Sequence, residues 1–253
     1  MGAEEAPRDN RGGDRGARGA PGSEDGGMSR LEIDPSEHRP GDVYRLLTAV
    51  VVPRPIAWVS TRSSDGVDNL APHSFFTVAS ANPPIVQFTS VGVKDTLRNV
   101  RATGEFVVHL APAGLIDQVN VSGADQPAGV SEFDVAGLRT EPAAAVDAAR
   151  VADSPVALEC RLHAALDLGA STIVLGRVVH VALARDVLEE PEPEPGRLPH
   201  PRFADLAPLA RLGRDEYALP GPVRRLRRAT HPGGRHARDS GEGASGHRAA
   251  TGE

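Results

Sequence analysis

Across residues 158–168 apolar side chains recur at every second position. Leu158, Cys160, Leu162, Ala164, Leu166 and Leu168 share one face, and Glu159, Arg161, His163 and Asp167 take most of the other. A period of two is that of a β-strand with one side in a core and one in water. Ala170 and Ser171 turn the chain into a second run of similar length, residues 173–184. Two paired strands this long overshoot a small sandwich and suit the wall of a curved barrel.

The other segments agree with a mainly β chain. After a short helical stretch at residues 42–49, Pro53 and Pro55 keep residues 54–61 extended. Ser63, Ser64, Asp65 and Gly66 then supply a turn, so a hairpin leads into a strand at 69–80. Residues 84–91 form a strand beyond the Asn82-Pro83-Pro84 break, and Glu105–Leu110 another with Phe106, Val108 and Leu110 on one face. Between them Asp95–Thr103 reads as one short helix, N-capped by Asp95 and stopped by Gly104. Residues 186–202 are a Pro/Glu-rich connector, and 203–217 a terminal segment that packs back. No β–α–β alternation repeats and no Gly-rich fingerprint follows a strand, which excludes a Rossmann reading.

Every Phe, Tyr and Trp lies between Tyr44 and Tyr217. That distribution predicts one folded domain over residues 28–222, flanked by a disordered extension at 1–27 and a disordered basic tail at 223–253. Composition changes sharply at Met28, which is expected to be the natural start. The tail arginines Arg224, Arg225, Arg227 and Arg228 read as a solvated run and carry no assigned function. A net charge of -6 gives no electrostatic case for a nucleic-acid partner. The single cysteine, Cys160, forms neither an internal disulfide nor a metal cluster, so no metal is expected. No leader is visible, and the best apolar run, 173–184, is interrupted by Gly176, Arg177 and His180. A cytoplasmic location without a membrane partner is therefore expected.

An ordered series of motifs carries more than pattern. Residues 53–61 read PRPIAWVST, Asp65-Gly66 follows, and residues 69–76 read NLAPHSFF. Asn82-Pro83-Pro84, Lys94-Asp95-Thr96 with Asn99, Thr103-Gly104-Glu105-Phe106, Ser131-Glu132-Phe133, Ser154-Pro155 and Leu175-Gly176-Arg177-Val178 come next in order. Over residues 40–217 the chain resembles the flavin reductase-like family of FMN-binding split barrels. The resemblance implies a split β-barrel with a few short helices, a homodimer with FMN near the subunit interface, and NADH or NADPH as electron donor. It also implies delivery of reduced flavin to a partner monooxygenase. In the closing segment Arg214 stands where that family commonly has a glycine, and after Tyr217 the similarity ends.

FMN joins a dianionic phosphate to a broad ring, so its site needs cations or N–H donors at one end and a polar, partly apolar slot at the other. Lys94 and Thr96, at a helix start, are expected on the phosphate, with Asp95 turned away as a cap. Arg54 is a second cation, and Ser60 and Thr61 are expected on ribityl or phosphate oxygens. Asn69, Ala71, Ser74 and Phe75 would line the ring slot. Trp58, Phe76 and Cys160 are read as core and His109 as a hydrogen-bonded wall residue, while His73 is open between a structural or surface role and contact with the nicotinamide or substrate. Hydride transfer to a flavin asks little acid–base work of the protein, so no catalytic side chain is assigned. Two other readings stay open: an FMN-holding electron carrier and a split barrel that has lost its cofactor.

Overall fold

A computed structural model of the chain describes residues 28–127, 129–190, 197–227 and 229. The expectations for residues 1–27 and for most of the tail lie outside these residues. The chain divides into two units between Val43 and Tyr44. In the first, Asp34 caps a 3-10 turn at Pro35–Glu37 by accepting from the Ser36 N–H at 2.8 Å, and Arg39 pairs with Asp42 at 3.0 Å.

The regular elements, in chain order, begin with α1 (Pro40–Val50), β1 (Arg54–Pro55), β2 (Ala57–Arg62), β3 (Asp68–His73), β4 (Phe76–Ser80) and β5 (Ile85–Val91). They continue with α2 (Asp95–Thr103), β6 (Glu105–Leu110), α3 (Ile116–Val121), α4 (Glu132–Val135), β7 (Thr140–Glu141) and β8 (Arg150–Val151). The long hairpin β9 (Val156–Leu168) and β10 (Ser171–Leu183) follows, then α5 (Phe203–Leu206), β11 (Ala210–Arg211) and β12 (Tyr217–Ala218). Seven strands make one antiparallel sheet in the order β3-β2-β6-β9-β10-β5-β4. Among the described residues no helix is long and apolar enough to cross a membrane.

The expected single strand at 69–80 is two strands on opposite edges of that sheet. Ser74 and Phe75 carry the chain from one edge to the other, so the edges must lie side by side. The Phe75 carbonyl accepts from the Thr89 N–H at 2.9 Å, and the His73 ring centroid is 4.7 Å from that of Phe88. The sheet thereby closes into the expected barrel.

Inside sit Ala57, Val59, Val86, Phe88, Phe106, Val108, Cys160 and Val174, with Leu97 and Val100 of α2 packed into the same cluster. Each Val, Leu or Phe among them contributes about 1.5–3 kcal/mol through burial. Gly176 is required here, because a Cβ on it would overlap the Phe106 ring. The opposite face of β2 holds Trp58, which packs with Leu70, Val119 and Phe133 under α3 and α4.

Several expectations are corrected. Helix α2 has its predicted bounds, but Lys94 is the N-cap residue and makes no side-chain cap, while Asp95 is the first helical residue and pairs with Arg98. Gly104 stops the helix at φ 73, as expected. The β9 alternation is only half core: beyond Leu162 the strand runs out of the barrel, leaving Leu166 and Leu168 at 56% and 54% exposure. Glu159, read as facing water, is fully buried. Residues 143–150 cover it, supplying the Ala144 and Ala145 N–H groups at 2.9 and 2.5 Å and the Arg150 guanidinium, whose Nε lies 2.9 Å away. Those bonds outweigh the cost of burial and hold its carboxyl below the usual range.

Candidate functional site

The closing corner opens onto a cavity of about 490 Å³. One wall is the chain from Asn69 through Ala71, His73 and Ser74 to Phe75. Opposite stands the start of α2, with Lys94, Asp95, Thr96 and Arg98, and a loop at Ser122–Gln126 forms a third wall. The loop is anchored from the core, because Trp58 Nε1 donates to Ser122 Oγ at 2.8 Å and that hydroxyl donates to the Val119 carbonyl at 3.0 Å. Trp58 is core as expected, and it also sets where the cavity wall stands.

Six of the nine sequence-predicted residues meet in this cavity: Asn69, Ala71, Ser74, Phe75, Lys94 and Thr96. Thr61, Ser60 and Arg54 do not line it. Side chains alternate along β2, so Thr61 points toward α2 while Ser60 points to the other side. The Thr61 hydroxyl accepts from Asn69 Nδ2 at 3.2 Å and Asn99 Nδ2 at 3.0 Å, which makes it a support behind Asn69. Ser60 Oγ is spent on the Ala149 carbonyl at 2.5 Å. Arg54, expected as a second phosphate cation, is buried against backbone instead. It donates to the carbonyls of Thr48, Val51 and Leu212 at 2.5, 2.7 and 2.8 Å, tying α1 to the closing segment.

The cavity carries charges of both signs. Lys94 Nζ lies 2.9 Å from Asp125 Oδ1, with both side chains largely exposed. Arg98 is held by Asp95 and by the Val93 carbonyl at 3.0 Å. Below them the buried carboxylate of Glu132 accepts from the Leu70 N–H at 3.0 Å, and burial pushes its pKa up. Sequence reasoning did not assign Glu132, Asp125 or the 122–126 loop to the site. Only Ser131-Glu132-Phe133, within the motif series, pointed there.

Both buried histidines are neutral at pH 7, with pKa values brought to about 4 chiefly by burial. His109 Nε2 accepts from the Val151 N–H at 3.0 Å, which places the proton on Nδ1 for donation to the Trp58 carbonyl at 2.9 Å. That is the wall role expected of it. His73 differs, since it lines the cavity and its buried Nε2 has no partner. The Cys160 thiol is pushed up to about 12 by burial, so it is not a nucleophile at neutral pH.

Three features suit a phosphorylated flavin. The α2 terminus has no side-chain cap, so its first-turn amides and Lys94 form one anion-favouring rim. Asn69 gives both amide hydrogens to Thr61 and Thr96, leaving Oδ1 as an acceptor fixed at the slot. The partnerless His73 Nε2 is a further polar atom at the cavity wall.

The flavin reductase like domain model matches residues 49–200, and the chain belongs to that family. An uncharacterised protein of Halalkalibacterium halodurans is 36% identical over 212 residues, covering 79% of this chain and 97% of its own. The crystal structure of nitrilotriacetate monooxygenase component B from Bacillus cereus superposes with a TM-score of 0.72 at 32% identity, covering 79% of this chain and all of that one (100%). A split-barrel-domain protein of Shewanella frigidimarina, 18% identical with a TM-score of 0.69 over 79% of this chain and 100% of its own, shares the fold. The architecture is that of the split-barrel flavin reductases.

Proposed function

We propose that this protein is an NAD(P)H-dependent FMN reductase whose flavin sits in the cavity between the Asn69–Phe75 corner and the start of α2. The observation that carries this reading is the convergence, in one cavity, of an uncapped helix terminus, a rim lysine and a strand corner with fixed polar groups. Bound FMN would supply the two-electron chemistry, accepting hydride from the nicotinamide. The chain's own part is to bind and orient. Lys94 and the α2 amides take the phosphate, Asn69 and the Ala71–Phe75 backbone hold the ring edge, and the 122–126 loop limits water. His73, neutral at pH 7, adds no charge to the slot.

The protein acts as a homodimer. The protruding β9–β10 hairpin supports this, because Leu166, Leu168, Val179 and Val181 are apolar and exposed. Likeness to a monooxygenase component B supports a partner oxygenase that consumes the reduced flavin. The test mixes purified protein with NADH or NADPH and FMN and follows loss of reduced nicotinamide. Oxidation that needs both protein and FMN is expected. FMN binding without oxidation would make the protein an electron carrier, and no FMN binding at all would remove the flavin assignment.

A further inference from the structure

Beside the flavin cavity lies a chamber of about 420 Å³ between α1 and the closing segment. Ser74 and Tyr44 line both spaces. A third hollow, of about 460 Å³, shares Pro72, Ser74 and Gly123 with the flavin cavity and Ser74 and Arg211 with the chamber. Ser74 lines all three, so they lie next to one another.

The charges around these hollows are unequal. Carboxylates of Asp95, Asp125 and Glu132 line the flavin cavity. The chamber is lined by Arg45, Arg54, Arg211 and Arg214, and no carboxylate is among its described lining residues. Arg54 is occupied by backbone carbonyls; burial lowers its pKa, Tyr44 acts against that, and the nearby charge of Arg211 lowers it further. Arg211 donates one N–H to the Arg214 carbonyl at 2.7 Å, stacks 4.5 Å over the Tyr217 ring and has Asp215 3.7 Å away on a fully exposed side chain. So exposed a partner screens it weakly.

Arg214 adds a backbone observation. Its φ of 52 lies in the left-handed region that favours glycine. A long charged side chain at such a strained position, on the rim of a cationic chamber, points to use of that side chain.

We infer that the arginine-lined chamber receives phosphate groups of the nicotinamide electron donor, with Arg211 and Arg214 as the cationic contacts. The inference rests on the flavin reading above. Guanidinium groups pair with phosphate oxygens through two parallel N–H donors, a geometry that a lysine does not offer. Both donors carry a diphosphate, and NADPH adds a 2′-phosphate, so either group satisfies the chemistry.

The test uses the full chain, Arg211→Gln and Arg214→Gly. Flavin fluorescence gives FMN affinity, and calorimetry on the FMN-loaded proteins gives affinity for NAD⁺ and NADP⁺, which bind without turnover. Arg211→Gln is expected to weaken dinucleotide binding by about 5- to 30-fold, the size of one lost charge-assisted contact. Arg214→Gly is expected to weaken it by about 3-fold, and because it eases the backbone, misfolding cannot explain the loss. FMN affinity stays within about 2-fold in both. Equal loss for the two dinucleotides assigns the diphosphate, and loss confined to NADP⁺ assigns the 2′-phosphate. Normal FMN binding with unchanged dinucleotide affinity, or a loaded wild type that binds neither dinucleotide, overturns the inference alone. A wild type that binds no FMN overturns the flavin reading and this inference with it.

Discussion

Lys94→Ala separates the phosphate of FMN from its ring. The Lys94 ammonium is engaged by Asp125 at 2.9 Å, and both side chains are more than half exposed, so this pair contributes only about 0–1 kcal/mol. A phosphate replacing Asp125 makes a charge-assisted bond of about 1.5–3 kcal/mol, less what is lost with the pair. The net contribution is about 1–2 kcal/mol, or about 5- to 30-fold in Kd. Lys94→Ala should therefore weaken FMN by that factor while riboflavin, which has no phosphate, moves by less than about 2-fold. Asp125→Asn should do the reverse, freeing Lys94 and removing a nearby negative charge, with FMN tightened by about 2- to 5-fold. In the Lys94→Ala background that gain should shrink, since part of it acts through the lysine. Fluorescence-quenching titrations of both flavins on the four proteins measure the cycle. Equal weakening of FMN and riboflavin by Lys94→Ala would refute the reasoning, because the lysine would then act on the ring or on the fold.

Stability should fall as pH drops below the ordinary histidine range. His73 and His109 have pKa values near 4 when folded against an ordinary 6.5, so the unfolded chain binds these protons more tightly. Their contribution is complete above about pH 6.5 and is lost as pH falls toward 4, by about 3 kcal/mol each, read from urea midpoints across that range. A pH-independent midpoint there would contradict it. Gly176→Ala, forcing a Cβ into the Phe106 ring, should cost about 1–3 kcal/mol in a thermal or urea melt. Glu159→Ala leaves the Arg150 guanidinium without its buried partner and should cost about 3–5 kcal/mol by the same assay.

What was legible in the sequence follows the range of the forces involved. The α2 bounds and its Gly104 stop were readable because capping and left-handed φ are decided within a few residues. The six cavity residues were readable because they sit in two short motifs. The corner at Ser74-Phe75 was not, since NLAPHSFFTVAS is one stretch of strand-forming residues and the break is imposed by barrel closure. Glu159 was misread for a similar reason. Its burial depends on residues 143–150, an alanine-rich segment with no period of its own. Ser60 and Thr61 were displaced from the predicted site by strand alternation and long-range partners, and Arg54 by carbonyls that include that of Leu212, 158 residues further along the chain.

Hydrogen exchange of the full chain with and without FMN bears most directly on where the flavin lies. Slowed exchange in both the 69–75 corner and the first turn of α2, with little change in the β9–β10 tip, is the expected result. Protection of only one of the two stretches, or of neither while FMN is bound, would contradict the assignment.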